Sequence, residues 1–162
     1  MTSISSARRG QAAAATVFVA LGVLALSGRP AVPHSGAAGP VKHRMEIMKS
    51  MGTATKTIQA MLTGKRAYNK THLARLANEI AAHVPKLPKL FPKGSNAHPS
   101  EALPEIWSDW DGFKASLKAL HIEARKLAEI APTGGRADVA RQFRRVGQSC
   151  SGCHRDFRKR KR

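Results

Sequence analysis

The two cysteines of this 162-residue chain, Cys150 and Cys153, lie in the segment SCSGCH near its end, and His154 follows them directly. Two cysteines at this spacing form disulfides or thioredoxin-like redox pairs, and thiolates together with imidazole bind zinc. The pattern CxxCH is also typical of covalent haem attachment, in which each thiol adds to a porphyrin vinyl group and the histidine binds the iron axially. The remaining alternative is purely structural: two buried cysteines beside a histidine that has no functional role.

A helical phase places these three side chains on one side of a single turn. Residues at i, i+3 and i+4 are neighbours on a helix surface. Cys150, Cys153 and His154 can therefore contact the same ligand. The cysteines also continue an apolar stripe with spacings of three and four residues, which predicts that they face the core. Its other members are Val139, Phe143, Val146 and Phe157.

The context of the motif favours haem attachment over the other kinds of site. A thioredoxin-like CxxC occurs at the start of a helix in a βαβ setting, whereas this one lies near the end of the last predicted helix, after no strand. A zinc site needs four ligands, and this turn offers three. The other histidines considered show no paired spacing: His43, His72, His83, His98 and His121. Disulfide, zinc and purely structural interpretations stay open as alternatives.

Helical periodicity recurs four times after residue 40, and no strand pattern of any length appears there. It predicts helices over residues 41–65, 71–84, 105–130 and about 136–158, with Leu90 and Phe91 of the intervening loop plugging one end. The fold class is therefore all-α: an antiparallel up-down-up-down four-helix bundle. The favoured interpretation of the CxxCH motif adds haem c attached to the C-terminal helix. The expected inward stripe of the first helix is Val41, Met45, Met48, Gly52, Thr55 and Leu62, with Ile47, Met51 and Ile58 beside it.

Residues 1–40 have the layout of a secretory signal peptide and a flexible segment, which leaves residues 41–162 as one domain with a basic C-terminal tail. An arginine pair precedes an apolar run of fifteen residues from Ala12 to Leu26, shorter than the roughly 20 residues of a membrane span. Removal by cleavage is favoured over retention as an anchor. Because haem is attached to such motifs after export, we expect a bacterial periplasmic location.

The net charge is strongly positive. Removing residues 1–40 takes away Arg8, Arg9 and Arg29 and no acidic residue, so the charge falls by three, from +18 to +15. Such a balance predicts an acidic redox partner, and export argues against nucleic acid. Membrane contact is expected only as transient surface contact or through an uncleaved signal anchor. An alternative explanation of the terminal RKRKR segment is a solvated tail that binds no partner.

The chain resembles the class II cytochromes c, the cytochrome c′ family, over residues 41–160. The resemblance rests on VKHRMEIMKSMG, LTGKRAYN, LFPKGS, PEIWSDWDGF and FRRVGQSCSGCHRDFRK, in the family's order. It implies one haem c per chain, held by thioethers from Cys150 and Cys153, with His154 as the fifth iron ligand. It also implies that Arg44 lies near a haem propionate and Arg158 near the proximal imidazole. Relatives often form homodimers through the first two helices.

Met48 occupies the family position that faces the distal side of the iron, four residues after Arg44. As a sixth ligand it would make the chain an exported monohaem cytochrome of the low-spin c-556 type, carrying single electrons through a His/Met iron. This is the first expectation. The alternative is a five-coordinate, high-spin cytochrome c′ that binds nitric oxide or another small diatomic gas. We expect no enzyme, because no paired-carboxylate cluster or Ser/His/Asp arrangement can be argued.

Overall fold

The computed structural model describes residues 37–160. Most of the predicted signal segment, residues 1–36, therefore lies outside the described residues. Within residues 37–160, none of the helices combines the length and the apolar character that crossing a bilayer requires.

The described chain is helical, and the predicted four-helix bundle is confirmed. Its helices are α1 (Gly39–Leu62), α2 (Lys70–His83), α3 (Glu105–Ser108), α4 (Trp110–Ile130) and α5 (Arg136–Phe157), with a 3₁₀ helix over Val84–Leu90 after α2. The short α3 and the long α4 together form the third arm of the bundle. Helix α4 packs most extensively against α5 and α2, and α1 packs against α2.

The third predicted helix is interrupted at Asp109, which the periodicity did not indicate. Asp109 has an extended-like φ of −121° and caps α4, because its carboxylate accepts a hydrogen bond from the Gly112 amide at 3.0 Å. An added Cβ at Gly112 would meet that carboxylate, so a larger residue there would require the flexible Asp109 side chain to shift.

The buried face of α1 differs from the expected stripe. Its core side chains are Ile47, Met51, Ala54, Ile58 and Met61, whereas Met45 is 45% exposed and Met48 is half-buried. The expected stripe lies about one residue away around the helix, and the residues placed beside it, Ile47, Met51 and Ile58, are the buried ones. Elsewhere the apolar predictions agree better: Leu73, Ile80, Leu117, Leu127, Val139 and Val146 are buried.

The loop between α2 and α3 crosses the end of the bundle where α5 terminates. Phe91 is buried and packs edge-on against Phe113, while its carbonyl accepts a hydrogen bond from Trp107 Nε1 at 2.9 Å. Leu90 is half-buried, so the expected plug consists mainly of Phe91. The Leu103 amide donates to the Phe157 carbonyl at 3.1 Å, which ties the loop to the last turn of α5.

The opposite end of the bundle joins α1 to α5. Arg136 Nη2 donates to the carbonyls of Met61 and Leu62, both at 2.9 Å, and so satisfies the last turn of α1. Helices α1 and α5 therefore run in opposite directions. The start of α1, with Arg44, lies at the same end as the haem-type motif near the end of α5.

Candidate functional site

Helix α5 holds Cys150 and Cys153 half-buried on its core side, where both pack against the hydrophobic core. Both thiols are free. Burial raises the pKa of each thiol, and for Cys153 the neighbouring Cys150 and Asp156 add to the effect and bring the pKa to about 11. Reactive redox cysteines have lowered pKa values, so these thiols do not fit a thioredoxin-like pair.

His154 lies on the last turn of α5, at the surface of the bundle. Protein atoms around its ring desolvate the charged form, and this lowers the pKa of the imidazole; the nearby positive charge of Arg158 lowers it further, and Glu101 opposes the shift. The neutral form is thereby favoured. A neutral imidazole is the form that binds iron or other metals through a ring nitrogen.

Arg158 and Glu101 form an ion pair beside His154. Arg158 Nε donates to Glu101 Oε2 at 2.7 Å, and its Nη2 bonds to the same oxygen. The backbone supports the pair, because the Lys159 amide donates to the Glu101 carbonyl at 2.8 Å. The structure thus brings Arg158 and His154 close together. No local sequence pattern indicates Glu101, which lies 57 residues before Arg158 in the chain.

Arg44 is buried at 4% exposure, inside a cage of loop oxygens. Its Nη1 donates to the Leu90 carbonyl at 3.0 Å and to Ser95 Oγ at 2.8 Å. Its Nη2 donates to Ser100 Oγ at 2.5 Å and to the Ser95 carbonyl. The guanidinium also lies 4.5 Å from the centre of the Phe91 ring.

All of the hydrogen-bond acceptors around Arg44 within residues 37–160 are neutral oxygens. Burial accordingly lowers its pKa. A buried cation without a counter-charge is unfavourable, so this position suits an anionic group brought by a ligand. A haem propionate has that chemistry. Ser95 and Ser100 were not predicted, because no local sequence pattern links them to a residue about fifty positions earlier.

Met48 is half-buried on α1, one turn after Arg44, and packs against the same core as Cys150 and Cys153. The core-facing residues on either side of it, Ile47 and Met51, are apolar and buried. The structure therefore places Met48 at the edge of the core rather than at its centre. A thioether here can serve as an iron ligand or as a flexible apolar filler.

A cleft of about 1160 Å³ runs between α1 and α5. It exceeds the ~300–1,000 Å³ typical of small-molecule sites. On the α5 side it is lined by the residues interleaved with the motif, among them Gly147, Ser151 and Gly152. Cβ atoms added at Gly147 or Gly152 would meet nothing within 4 Å. None of the residues predicted to hold the haem lines this cleft, but the cleft reaches the turn that carries the two cysteines.

No group of three or more His, Cys, Asp or Glu side chains within residues 37–160 could hold a metal ion. That part of the chain therefore offers no set of zinc ligands. The side chains that are present instead fit a haem: the thiols suit thioether bonds to its vinyl groups, the imidazole suits its iron, and the buried guanidinium suits a propionate.

Comparison with known proteins relates the chain to one family. The family model described as Cytochrome C′ matches residues 39–158. Cytochrome c′ of Pararhodospirillum photometricum is 33% identical over 119 residues, which cover 73% of this chain and 94% of that protein. Cytochrome c-556 of Agrobacterium fabrum is 30% identical over 125 residues, covering 77% and 84% respectively.

Solved structures share the fold. Cytochrome c′ from Rhodopseudomonas palustris superposes with a TM-score of 0.72 at 31% identity, covering 78% of this chain and all of that one. A nitric oxide complex of a cytochrome c′ mutant from Alcaligenes xylosoxidans gives a TM-score of 0.68 at 26% identity, covering 75% and 94%. A further cytochrome c′, described by its ligand-controlled dimer dissociation, gives 0.69 at 25% identity, covering 77% and 100%.

Proposed function

Because this chain belongs to the cytochrome c′ family, we propose that it binds a small diatomic gas such as nitric oxide at a haem iron held by His154. The family is that of the class II c-type cytochromes, four-helix bundles with covalently attached haem c. The proposal requires that no second side chain bind the iron, and it concerns the residues that would hold the haem.

Cys150 and Cys153 would hold the haem through thioethers, and His154 would bind its iron. The two thiols lie on the core side of α5, and the lowered pKa of His154 keeps a ring nitrogen available for coordination. The Arg158–Glu101 pair fixes the loop to the end of α5 next to that imidazole. Arg44 would face a propionate. When bound, haem c supplies an iron that cycles between ferric and ferrous and accepts diatomic ligands.

The observation that carries the gas-binding proposal is the apolar edge of α1 around Met48. Ile47 and Met51 are buried, and Met48 itself packs against core side chains. Apolar side chains of this kind favour a small neutral molecule over water or ions. The similarity to a cytochrome c′ that was crystallised with nitric oxide supports the same function.

Electron transfer through a His154/Met48 iron is the second candidate function. Its support is the half-buried thioether at Met48, one turn from the buried Arg44, together with the similarity to cytochrome c-556. Such an iron has no open axial site, and the methionine raises its reduction potential.

The location and assembly of the protein complete the proposal. The signal-like segment over residues 1–40 supports export to the periplasm. A homodimer is supported by the similarity to a cytochrome c′ whose dimer dissociates under ligand control. In either candidate function the protein binds a gas or carries an electron, and partner proteins supply the rest of the reaction.

Nitric oxide titration separates the two candidates. Protein matured in a host that attaches haem c is reduced and titrated with nitric oxide, as are the Met48→Leu variant and the exposed-methionine control Met45→Leu. We expect all three to bind the gas, with affinities within about threefold, since leucine preserves an apolar pocket of similar volume. If nitric oxide binds readily only after Met48→Leu, Met48 occupies the site and the electron carrier is the correct function.

A further inference from the structure

The cleft between α1 and α5 is bordered by cations and by no carboxylate. Four exposed basic side chains lie along it: Lys56 and Lys65 at the α1 side, and Arg144 and Arg155 on α5. We call these four residues the basic rim. The other side chains that line the cleft are neutral. The rim is therefore a positive surface that runs from the Lys65 end of the bundle to Arg155, beside the cysteine turn.

The charges of α4 are arranged differently. There Lys114, Arg125 and Lys126 form ion pairs with acidic residues three or four positions away on the same helix. In contrast, Lys56, Lys65 and Arg144 form no ion pair within residues 37–160, and Arg155 pairs only with the adjacent Asp156. The positive charge of the rim is thus less neutralised than that of the α4 surface. It can attract a negatively charged partner over about a Debye length, ~8–10 Å.

We propose that the basic rim is the docking surface for an acidic protein segment of a redox partner. The inference rests on the proposed haem function, because docking at the rim would bring the partner beside the turn that carries the cofactor. Ser151 and Gly152, between the two cysteines, line the same cleft as Arg144 and Arg155. A carboxylate-bearing segment across the rim would therefore lie next to the haem attachment site. Charge complementarity selects an acidic occupant.

A polyglutamate peptide of ten residues with blocked ends tests the rim on the haem-loaded protein. Its binding is followed by amide chemical shifts at low and high salt. We expect the largest shifts in residues 55–65 and 143–155, and loss of binding at about 0.5 M salt, where screening is nearly complete. Shifts centred on α2 or α4, or spread evenly over the bundle, would overturn the assignment.

Charge-reversal variants give the decisive comparison. Lys56→Glu/Arg144→Glu should weaken peptide binding by about tenfold or more, because two attractive contacts become repulsive. The control, Arg75→Glu/Lys118→Glu, changes the net charge equally at exposed positions of α2 and α4 and should weaken it by less than about threefold. The neutral pair Lys56→Gln/Arg144→Gln replaces the rim variant if far-UV circular dichroism shows that the latter is misfolded. Equal losses in rim and control variants would contradict the proposal.

Two further readouts keep the outcomes separate. The optical spectrum of the wild type and of every variant is recorded first. A wild-type protein without a haem spectrum would overturn the haem function itself. Normal haem spectra with equal peptide affinities in all variants would overturn only the docking surface. Vesicles containing phosphatidylglycerol form the last arm. Rim-dependent vesicle binding without peptide binding would show that the occupant is an anionic membrane and not an acidic protein.

Discussion

Replacing Arg44 by leucine should destabilise the haem-loaded protein by about 2–4 kcal/mol through contacts within the chain, before any contribution from a haem propionate. The favourable terms are four hydrogen bonds from a charged donor, about 1.5–3 kcal/mol each, and the contact with the Phe91 ring, about 0.5–2 kcal/mol. They are largely offset by the desolvation of a buried cation, several kcal/mol. The net free-energy cost is therefore set by the hydrogen-bond acceptors that lose their donor. Ser100 is buried, while water can reach Ser95 and Leu90.

Urea unfolding followed by far-UV circular dichroism measures this loss, with Lys49→Leu as the matched control on the exposed face of the same helix. The control should change the free energy of unfolding by less than about 0.5 kcal/mol. Adding Ser100→Ala to Arg44→Leu should cost less than the two single changes summed, with a coupling of about 1 kcal/mol. If Arg44→Leu costs no more than Lys49→Leu, the neutral cage contributes nothing to stability and the reasoning fails.

Three other changes have defined outcomes. Val146→Ala removes two buried methyl groups beside the cysteine turn and should cost about 2 kcal/mol in urea unfolding, whereas Ile122→Ala, at a 40% exposed position, should cost clearly less. Asn69→Ala removes the acceptor that caps α2 and should lower the free energy of unfolding by about 1 kcal/mol, with no loss if the cap is unimportant. In the haem-free chain, a pKa of about 11 should make Cys153 react with iodoacetamide at pH 8 about tenfold more slowly than an unstructured cysteine, with the rate rising up to pH 10. A rate equal to that of the unstructured thiol, measured by mass spectrometry, would contradict the burial of Cys153.

The elements that carry the site follow from local sequence. Helix α5 was predicted as about 136–158 and spans Arg136–Phe157, and the CxxCH spacing together with the apolar stripe placed the two cysteines on its core side. Both predictions depend on the periodicity of one helix, which the sequence carries directly. The same holds for α2, predicted over 71–84 and observed over Lys70–His83.

The remaining features depend on tertiary contacts. Two adjacent faces of α1 are rich in methionine and other apolar residues, and only packing against α2 decides which is buried. The cage around Arg44 joins residues about fifty positions apart, so no local pattern indicates Ser95 or Ser100. The break at Asp109 is an exception, because an Asp directly before an apolar helical run is a local N-cap signal that the continuous helical periodicity conceals.

The spin state of the ferric, haem-loaded protein at neutral pH tests the central claim most directly. Electron paramagnetic resonance of the wild type and of Met48→Leu measures whether His154 is the only axial protein ligand. We predict a high-spin signal in both proteins, because the distal side next to Met48 stays open. A low-spin wild type that becomes high-spin in Met48→Leu would contradict the gas-binding proposal and establish Met48 as the sixth ligand.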